Sequence, residues 1–329
     1  MRILVTGASG FVGGHVAARL DAQGHEIIAT GRNPAKLNRL PLVRGRRQCA
    51  DLSRDVLAGI LEGCEAVIHC AALAAPWGAR EDFLRHNVEA TGRLLEASLR
   101  TGSVKRFVHI SSPSIYFQPR DQLNLTEEFS PPARWPTHYG ESKWLSECKV
   151  RQPQYRKMGP IILRPRAVYG PGDNAIAPRL LAVARRGTFP LVSGGASLVD
   201  VSYIDNVVDA VVLALQAPAA LEGRAFNITN GEPIPVSQLV RGLFASLKLD
   251  VKYRSLPRAL AMTLAGIAES IARIRPGQPE PRLTRYGLGL LSYSQTLSID
   301  AARRDLAYAP KVSTHSGLER YAAWYAHHA

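Results

Sequence analysis

The stretch "TGASGFVGG", Thr6 to Gly14, follows the apolar run "RILV" at the very start of the chain and constrains the fold more than any other segment. Gly7, Gly10 and Gly13 stand at G-x-x-G-x-x-G spacing between a strand-like run and the helical pattern "FVGGHVAARLDAQG". Each glycine has a separate reason. Gly7 permits a tight turn, Gly10 lets backbone N–H groups approach an anion, and Gly13 lets the helix lie close on the sheet. The start of a helix presents free N–H groups and the positive end of its dipole, which suits a pyrophosphate.

The first half of the chain continues in the same rhythm. "EIIATG", "AVIHCAA" and "RFVHISS" are short apolar runs separated by helical stretches such as "NVEATGRLLEASLRTG", and "IILRP" and "AFNITN" come later. Continuous apolar strands alternating with helices predict an α/β fold, a doubly wound parallel sheet covered on both faces. Between and after the late strands the composition shifts to loops rich in Pro and Gly: "YGPGDN", "TFPLVSGG", "GEPIP" and "RIRPGQPEP". We expect residues 1–171 to form the dinucleotide-binding domain, with 203–230 returning to its sheet. Residues 172–202 and 231–329 then form mainly a smaller substrate lobe. Inside that lobe "PRALAMTLAGIAESIARI" has an unusually wide apolar face. It reads as a helix packed on the lobe, a lid over an apolar ligand, or a weak membrane-surface contact.

Composition narrows the class. Four cysteines without C-x-x-C spacing argue against a disulfide scaffold or a zinc site, and no metal is expected. No apolar run approaches the ~18 residues of a membrane span, and "MRILVTGASG" carries no signal-peptide pattern, so a cytoplasmic enzyme is expected. The formal charge of +14 favours anionic ligands, yet the densest cluster, "RGRR", lacks interleaved aromatics and no nucleic-acid motif is present. No nucleic-acid partner is expected.

The end of the second strand reports on the cofactor. It reads "ATGRN": no carboxylate is placed to meet a ribose 2′-hydroxyl, and Arg32 follows Gly31 directly. Arginine there accommodates a 2′-phosphate, which favours NADP over NAD.

The glycine loop, "HCAA" (His69 to Ala72), "HISSPSIY" (His109 to Tyr116), "HYGESK" (His138 to Lys143) and "RPRAVYGPGD" (Arg164 to Asp173) follow one another in this order. Together they resemble the extended short-chain dehydrogenase/reductase family, also called the NAD-dependent epimerase/dehydratase family, over nearly the whole chain. The resemblance implies a Rossmann domain, a C-terminal substrate lobe and a homodimer. It implies a catalytic triad of Ser112, Tyr139 and Lys143. It places Ser9, Phe11 and Val12 with the three glycines around the dinucleotide. Asp51 and Leu52 would stand at the adenine, Ala71 and Ala72 along the groove, and Asn87 behind its wall. Tyr139 and Lys143 would also meet the cofactor. The chemistry has its own rationale. A lysine one turn from a tyrosine lies on the same helix face, and its charge is expected to lower the phenol toward a useful range. A serine hydroxyl at the strand end can orient a carbonyl.

Three departures indicate a branch. No carboxylate accompanies Ser112, where the family's sugar-nucleotide dehydratases carry a Thr-Asp-Glu cluster. Val199 stands where nucleotide-sugar epimerases carry an arginine for the diphosphate. "LVDVSYIDNVVDA" followed by "AFNITNGEPIP" is similar to the 3β-hydroxysteroid dehydrogenase branch. That branch implies a small hydrophobic substrate, steroid-like, a long-chain β-keto acid or polyketide-like, with Trp77, Ser114 and Val168 as pocket residues. A nucleotide-sugar epimerase and a non-catalytic dinucleotide sensor are the alternatives.

Overall fold

Seven parallel strands build the central sheet of the computed structural model, which describes residues 1–281 and 283–328. They are β1 (Arg2–Thr6), β2 (Glu26–Gly31), β3 (Arg46–Cys49), β4 (Ala66–His69), β5 (Arg106–Ile110), β6 (Pro160–Pro165) and β7 (Ala225–Ile228). Their spatial order is β7-β6-β5-β4-β1-β2-β3. β1 is flanked by β2 on one side and β4 on the other, so the chain winds away from it in both directions. A crevice opens at the carboxyl ends of the strands at such a switch point.

The named helices are α1 (Phe11–Ala22), α2 (Ala90–Thr101), α3 (His138–Val150), α4 (Ile204–Leu215), α5 (Arg258–Ile274) and α6 (Arg285–Ser292). α1 packs on α4 and α2 on α3. Val16 and Leu20 of α1 share one core with Ile204, Val207 and Val211 of α4. Leu94 and Leu95 of α2 share a second with Val150 of α3, so both sheet faces are covered. This is why the strands read as unbroken apolar runs. α1 stops at Ala22 because Gly24 takes φ +89 and turns the chain toward β2.

The basic cluster "RGRR" partly belongs to the edge strand β3, a strand that sequence patterning does not reveal. All four of its residues are exposed. Arg46 lies 3.6 Å from Glu26, and Arg47 donates to the carbonyls of Leu40 and Leu42 at 2.7 and 3.2 Å. Charge on an edge strand discourages further strand pairing.

The remaining strands are short. Ile234–Pro235, Leu198–Val199, Gln295–Leu297 and Gln122–Leu125 form a four-stranded sheet, and Thr188–Val192 pairs with Lys252–Leu256. Gln122–Leu125 thus leaves the first half of the chain to join this second layer. Asn227 of β7 fastens the two layers: its amide donates to the carbonyls of Leu125 and Ser298 at 3.1 and 3.2 Å.

Beneath α3 lies a buried charged network. Glu147 accepts from Arg164 of β6 in a bidentate pair, at 2.9 and 2.6 Å, and forms an ion pair with Arg151 at 3.2 Å. Arg164 also donates to the Tyr116 hydroxyl, which donates in turn to Asn227 Oδ1 at 2.9 Å.

Candidate active site

The glycine loop has no room for side chains. A Cβ on Gly7 (φ +66) would stand 2.7 Å from the Ala71 nitrogen, and one on Gly13 would stand 2.4 Å from the Gly7 oxygen. Gly10 caps α1 without a side-chain hydrogen bond, which leaves first-turn N–H groups facing the crevice. A cradle that a Cβ would fill, opening on bare amide donors, fits a dinucleotide pyrophosphate. Phe11 and Val12 begin the helix. Ser9 lies against the end of β2, where a Cβ on Gly31 would come within 2.4 Å of its Oγ.

The other expected cofactor residues follow the carboxyl ends of β2, β3 and β4 or, like Asn87, bond to the segment after β4. Asp51 is almost fully buried. Its carboxylate takes the Ser53 amide and hydroxyl at 3.0 and 2.7 Å and Arg54 Nε at 3.0 Å. Burial raises its pKa, but the Ser53 hydrogen bonds with Arg54 and Arg32 outweigh this and leave it below the ordinary carboxylate value. Leu52 beside it is buried, and its carbonyl accepts from Arg93 at 3.0 Å. Arg32 is exposed at the end of β2. Ala71 and Ala72 follow β4 half-buried, and the Ala71 amide donates to Thr6 Oγ1 at 3.2 Å. Asn87 braces this wall. Its Oδ1 accepts from Leu73 N at 2.6 Å, and its amide donates to Leu73 O at 3.1 Å and Ser142 Oγ at 2.9 Å.

The structure brings the Ser112 and Tyr139 side chains near enough for the serine hydroxyl to favour the ionised phenol. Ser112 follows β5 and caps a short turn, Pro113–Tyr116, by accepting from Ser114 N at 3.2 Å. Tyr139 is in the first turn of α3, which Thr137 caps through Gly140 N at 3.0 Å. The three residues between Tyr139 and Lys143 all position the pair. A Cβ on Gly140 would lie 2.8 Å from the Ser114 oxygen, so only glycine allows α3 this near the serine. Glu141 holds Arg80 through three hydrogen bonds of 2.5 to 3.1 Å, and Ser142 accepts from Asn87.

Lys143 departs from the expectation drawn from spacing. Its Nζ donates to the Ile110 carbonyl at 2.7 Å, one strand end below Ser112. Burial pushes the Tyr139 hydroxyl above the ordinary phenol value, and the Ser112 hydroxyl pulls it only partly back. Tyr139 is therefore a proton donor at neutral pH. Burial lowers Lys143 to about 8, against the raising influence of Glu147 and Cys70. Burial, with Lys143 close by, lowers His69 to about 3, so this neighbour stays neutral and adds no charge.

A pH profile follows from these directions. Between about pH 6 and 10 Tyr139 keeps its proton while Lys143 loses its charge near 8. If the ammonium assists the reaction, kcat/KM for ketone reduction is expected to fall as pH rises through about 8. The measurement is the reductive kcat/KM against pH for wild type and Lys143→Met. The variant is expected to be slow and to lack that limb.

Of the three pocket residues, Ser114 is buried with its Oγ unpartnered, and Val168 lies just beyond β6 in a two-residue strand. Trp77 has a structural task. Its Nε1 donates to the Gln278 carbonyl at 2.9 Å, and Arg273 stands over its ring at 5.7 Å, joining the loop after β4 to the end of α5.

Sequence reading missed Tyr286, which neighbours Tyr139, and the pair Arg166 and Asp200 beyond it. Tyr286 of α6 packs edge-on against Phe117 with ring centroids 5.0 Å apart, and it lies within electrostatic range of both Tyr139 and Arg166. Arg166 and Asp200 are buried near each other, yet Arg166 Nε and Asp200 Oδ1 have no hydrogen-bond partner. Arg166 was legible as a charge inside an apolar strand-end motif, "RPRAVYG". Tyr286 carries no such signal, because it comes from the lobe that motifs do not fix.

The site as a whole brings together a protonated phenol, a serine hydroxyl and a buried lysine beyond the end of β5. Among the described residues no group of His, Cys, Asp and Glu could hold a metal ion.

Comparisons with known proteins identify the family and the fold. A model described as the NAD dependent epimerase/dehydratase family matches residues 3–229. The Escherichia coli protein YbjS, itself uncharacterized, is 36% identical, with 100% of this chain and 98% of the relative covered. A 2-alkyl-3-oxoalkanoate reductase of Stenotrophomonas maltophilia is 32% identical, covering 98% and 99%. A human sterol-4-alpha-carboxylate 3-dehydrogenase is 30% identical, covering 97% and 87%. Among solved structures, a UDP-glucuronic acid 4-epimerase from Bacillus cereus superposes with a TM-score of 0.78 at 23% identity, covering 99% of both chains. That last likeness concerns the fold alone.

Proposed function

Since the chain belongs to the NAD dependent epimerase/dehydratase family and is an NAD(P)-dependent oxidoreductase acting on CH–OH groups, we propose that it interconverts a bulky hydrophobic ketone and its alcohol, with NADP as the preferred cofactor. The observation that carries this reading is the Ser112–Tyr139 hydroxyl pair, set among Phe83, Phe117 and Tyr286. The residues that follow Ser112 are Pro113, Ser114, Ile115 and Tyr116, so no carboxylate is at hand there for an elimination. Val199, buried and paired with Ile234, offers no charge to a sugar diphosphate. The named relatives act on 3-oxo acids and sterol carboxylates, which supports an apolar substrate.

In this reading Ser112 donates to the substrate oxygen and orients it. Tyr139 gives that oxygen a proton during reduction and accepts one during oxidation. Lys143 supplies a buried positive charge behind the strand end. The nicotinamide, when bound, supplies or receives the hydride. Free first-turn amides of α1 bind its pyrophosphate in the space that Gly7, Gly10 and Gly13 leave open, and Arg32 meets a 2′-phosphate.

The experiment offers the purified protein NADPH with a long-chain 3-oxo acid or a 3-oxosteroid, and in parallel UDP-glucose with NAD. Ketone-dependent NADPH consumption is expected. Epimerisation of the UDP-sugar with no ketone reduction would overturn the reading. For the cofactor, a lost charge-assisted contact is worth roughly 1.5–3 kcal/mol. Arg32→Ala is therefore expected to raise the KM for NADPH by about ten- to a hundredfold while that for NADH stays put. Equal effects on both would remove Arg32 from the 2′-phosphate.

A further inference from the structure

Helix α5 is built inside out. The side chains it buries are small, Ala261, Ala265 and Ala272, together with Glu269. The large ones face away from the protein. Leu260, Leu264, Ile267, Ile271 and Ile274 are between 44% and 83% exposed. Their spacing of four and three residues puts all five on one stripe, roughly 135° around the helix from the alanine face at 3.6 residues per turn. Over fourteen residues this stripe is about 21 Å long at the α-helical rise. A soluble helix normally turns such side chains inward, and exposed stripes of this kind mark interaction surfaces.

The charge around the stripe indicates what covers it. Arg254 and Arg258 are exposed at one end of α5, and Arg273 and Arg275 at the other. Among the described residues from 252 to 285, the two carboxylates, Glu269 and Glu280, are both paired, with Arg285 at 2.8 Å and Arg179 at 3.1 Å. The surroundings of the stripe are therefore cationic at both ends. Setting a second copy against it brings like charges together whether the two helices run parallel or antiparallel. An anionic lipid surface satisfies both features: acyl chains receive the Leu and Ile side chains, and head groups meet the arginines. Among the described residues no helix is long and apolar enough to cross a membrane.

We propose that the outer face of α5 docks on an anionic lipid bilayer, with Leu260, Leu264, Ile267, Ile271 and Ile274 inserted at the interface. The inference goes beyond the reductase reading and does not depend on it. The side chains that insert are exposed in the free protein, so the fold needs no rearrangement. Docking places the lobe against the membrane, where hydrophobic molecules are most concentrated.

The test is co-sedimentation of the full chain with vesicles of phosphatidylcholine alone, and of phosphatidylcholine with phosphatidylglycerol, at low and high salt. The comparison is with the triple variant Leu264→Gln, Ile267→Gln, Ile271→Gln, whose positions face solvent. Circular dichroism checks its fold, and light scattering without lipid reads the mass of both proteins. Binding to the phosphatidylglycerol vesicles, weakened by salt and reduced about tenfold or more in the folded variant, is expected. Three results would overturn the proposal: no binding to those vesicles at low salt, equal binding by the variant, or a wild-type protein of higher mass than the variant. The last would make a second copy the occupant.

Discussion

Tyr139→Phe is expected to lower ketone turnover by about a hundred- to ten-thousandfold, the usual worth of a positioned proton donor. The variant removes one oxygen and leaves α3 intact. The ring keeps its place against Phe83, so the protein is expected to stay folded. The loss should appear in kcat, with the KM for NADPH little changed, because the pyrophosphate is held by the glycine cradle and not by the phenol. Single-turnover reduction followed by NADPH absorbance, beside a thermal melt, measures both quantities. Near-wild-type turnover in a folded variant would mean that another group delivers the proton. The geometry offers few candidates: His69 is neutral and tied to Thr6 and Thr91 by both ring nitrogens. Tyr286 is the one to examine next, since it shares the neighbourhood of Tyr139.

The largest effect on stability belongs to Glu147. It is fully buried and compensates Arg164, itself 1% exposed, and Arg151. Glu147→Ala leaves a guanidinium in the core without its counter-charge, a change that typically costs about 3–5 kcal/mol. Chemical denaturation of wild type, Glu147→Ala and Glu147→Gln separates charge from shape. The glutamine keeps a hydrogen-bond acceptor and should recover only part of the loss. The pH dependence has a definite sign. Burial raises the Glu147 pKa, but Arg164 and Arg151 overcome this, so its folded value lies below the ordinary carboxylate value. Its contribution is present above the unfolded carboxylate value and is lost as pH falls through the folded one. A variant with unchanged stability would show that Arg164 finds enough support from Tyr116 alone.

Much of the first domain was legible because local rules and global fold agree there. The glycine loop is a strand, a turn and a helix start in one stretch, and Gly7 and Gly13 are required by contacts that their sequence positions already suggested. The apolar runs became strands because both sheet faces are covered. Edge strand β3 was not legible, since Arg46–Cys49 buries nothing and has no apolar pattern to detect. The second layer was not legible either. Its strands run from two to four residues, and Gln122–Leu125 finds its partner Gln295–Leu297 about half the chain away. At the site, "HYGESK" marked Tyr139 and Lys143, but spacing on a helix does not say where a long flexible side chain ends. The Ile110 carbonyl captures the ammonium, a contact set by how α3 lies on β5. Trp77 was read as a pocket residue. Its bond to Gln278 depends on a loop whose course no motif describes.

Tyr139, Lys143 and Glu147 stand four residues apart on α3 and form a single row from the cleft down into the core. Helical rise fixes about 12 Å between the first and the last. The bottom of the row is clamped by Arg164, a residue of the central sheet that never meets the substrate. The row therefore works as a ruler of fixed length standing on the sheet, with the Tyr139 hydroxyl at its tip. A lobe assembled from short strands and loops can be rebuilt around many different molecules, while the height at which a carbonyl must arrive stays the same.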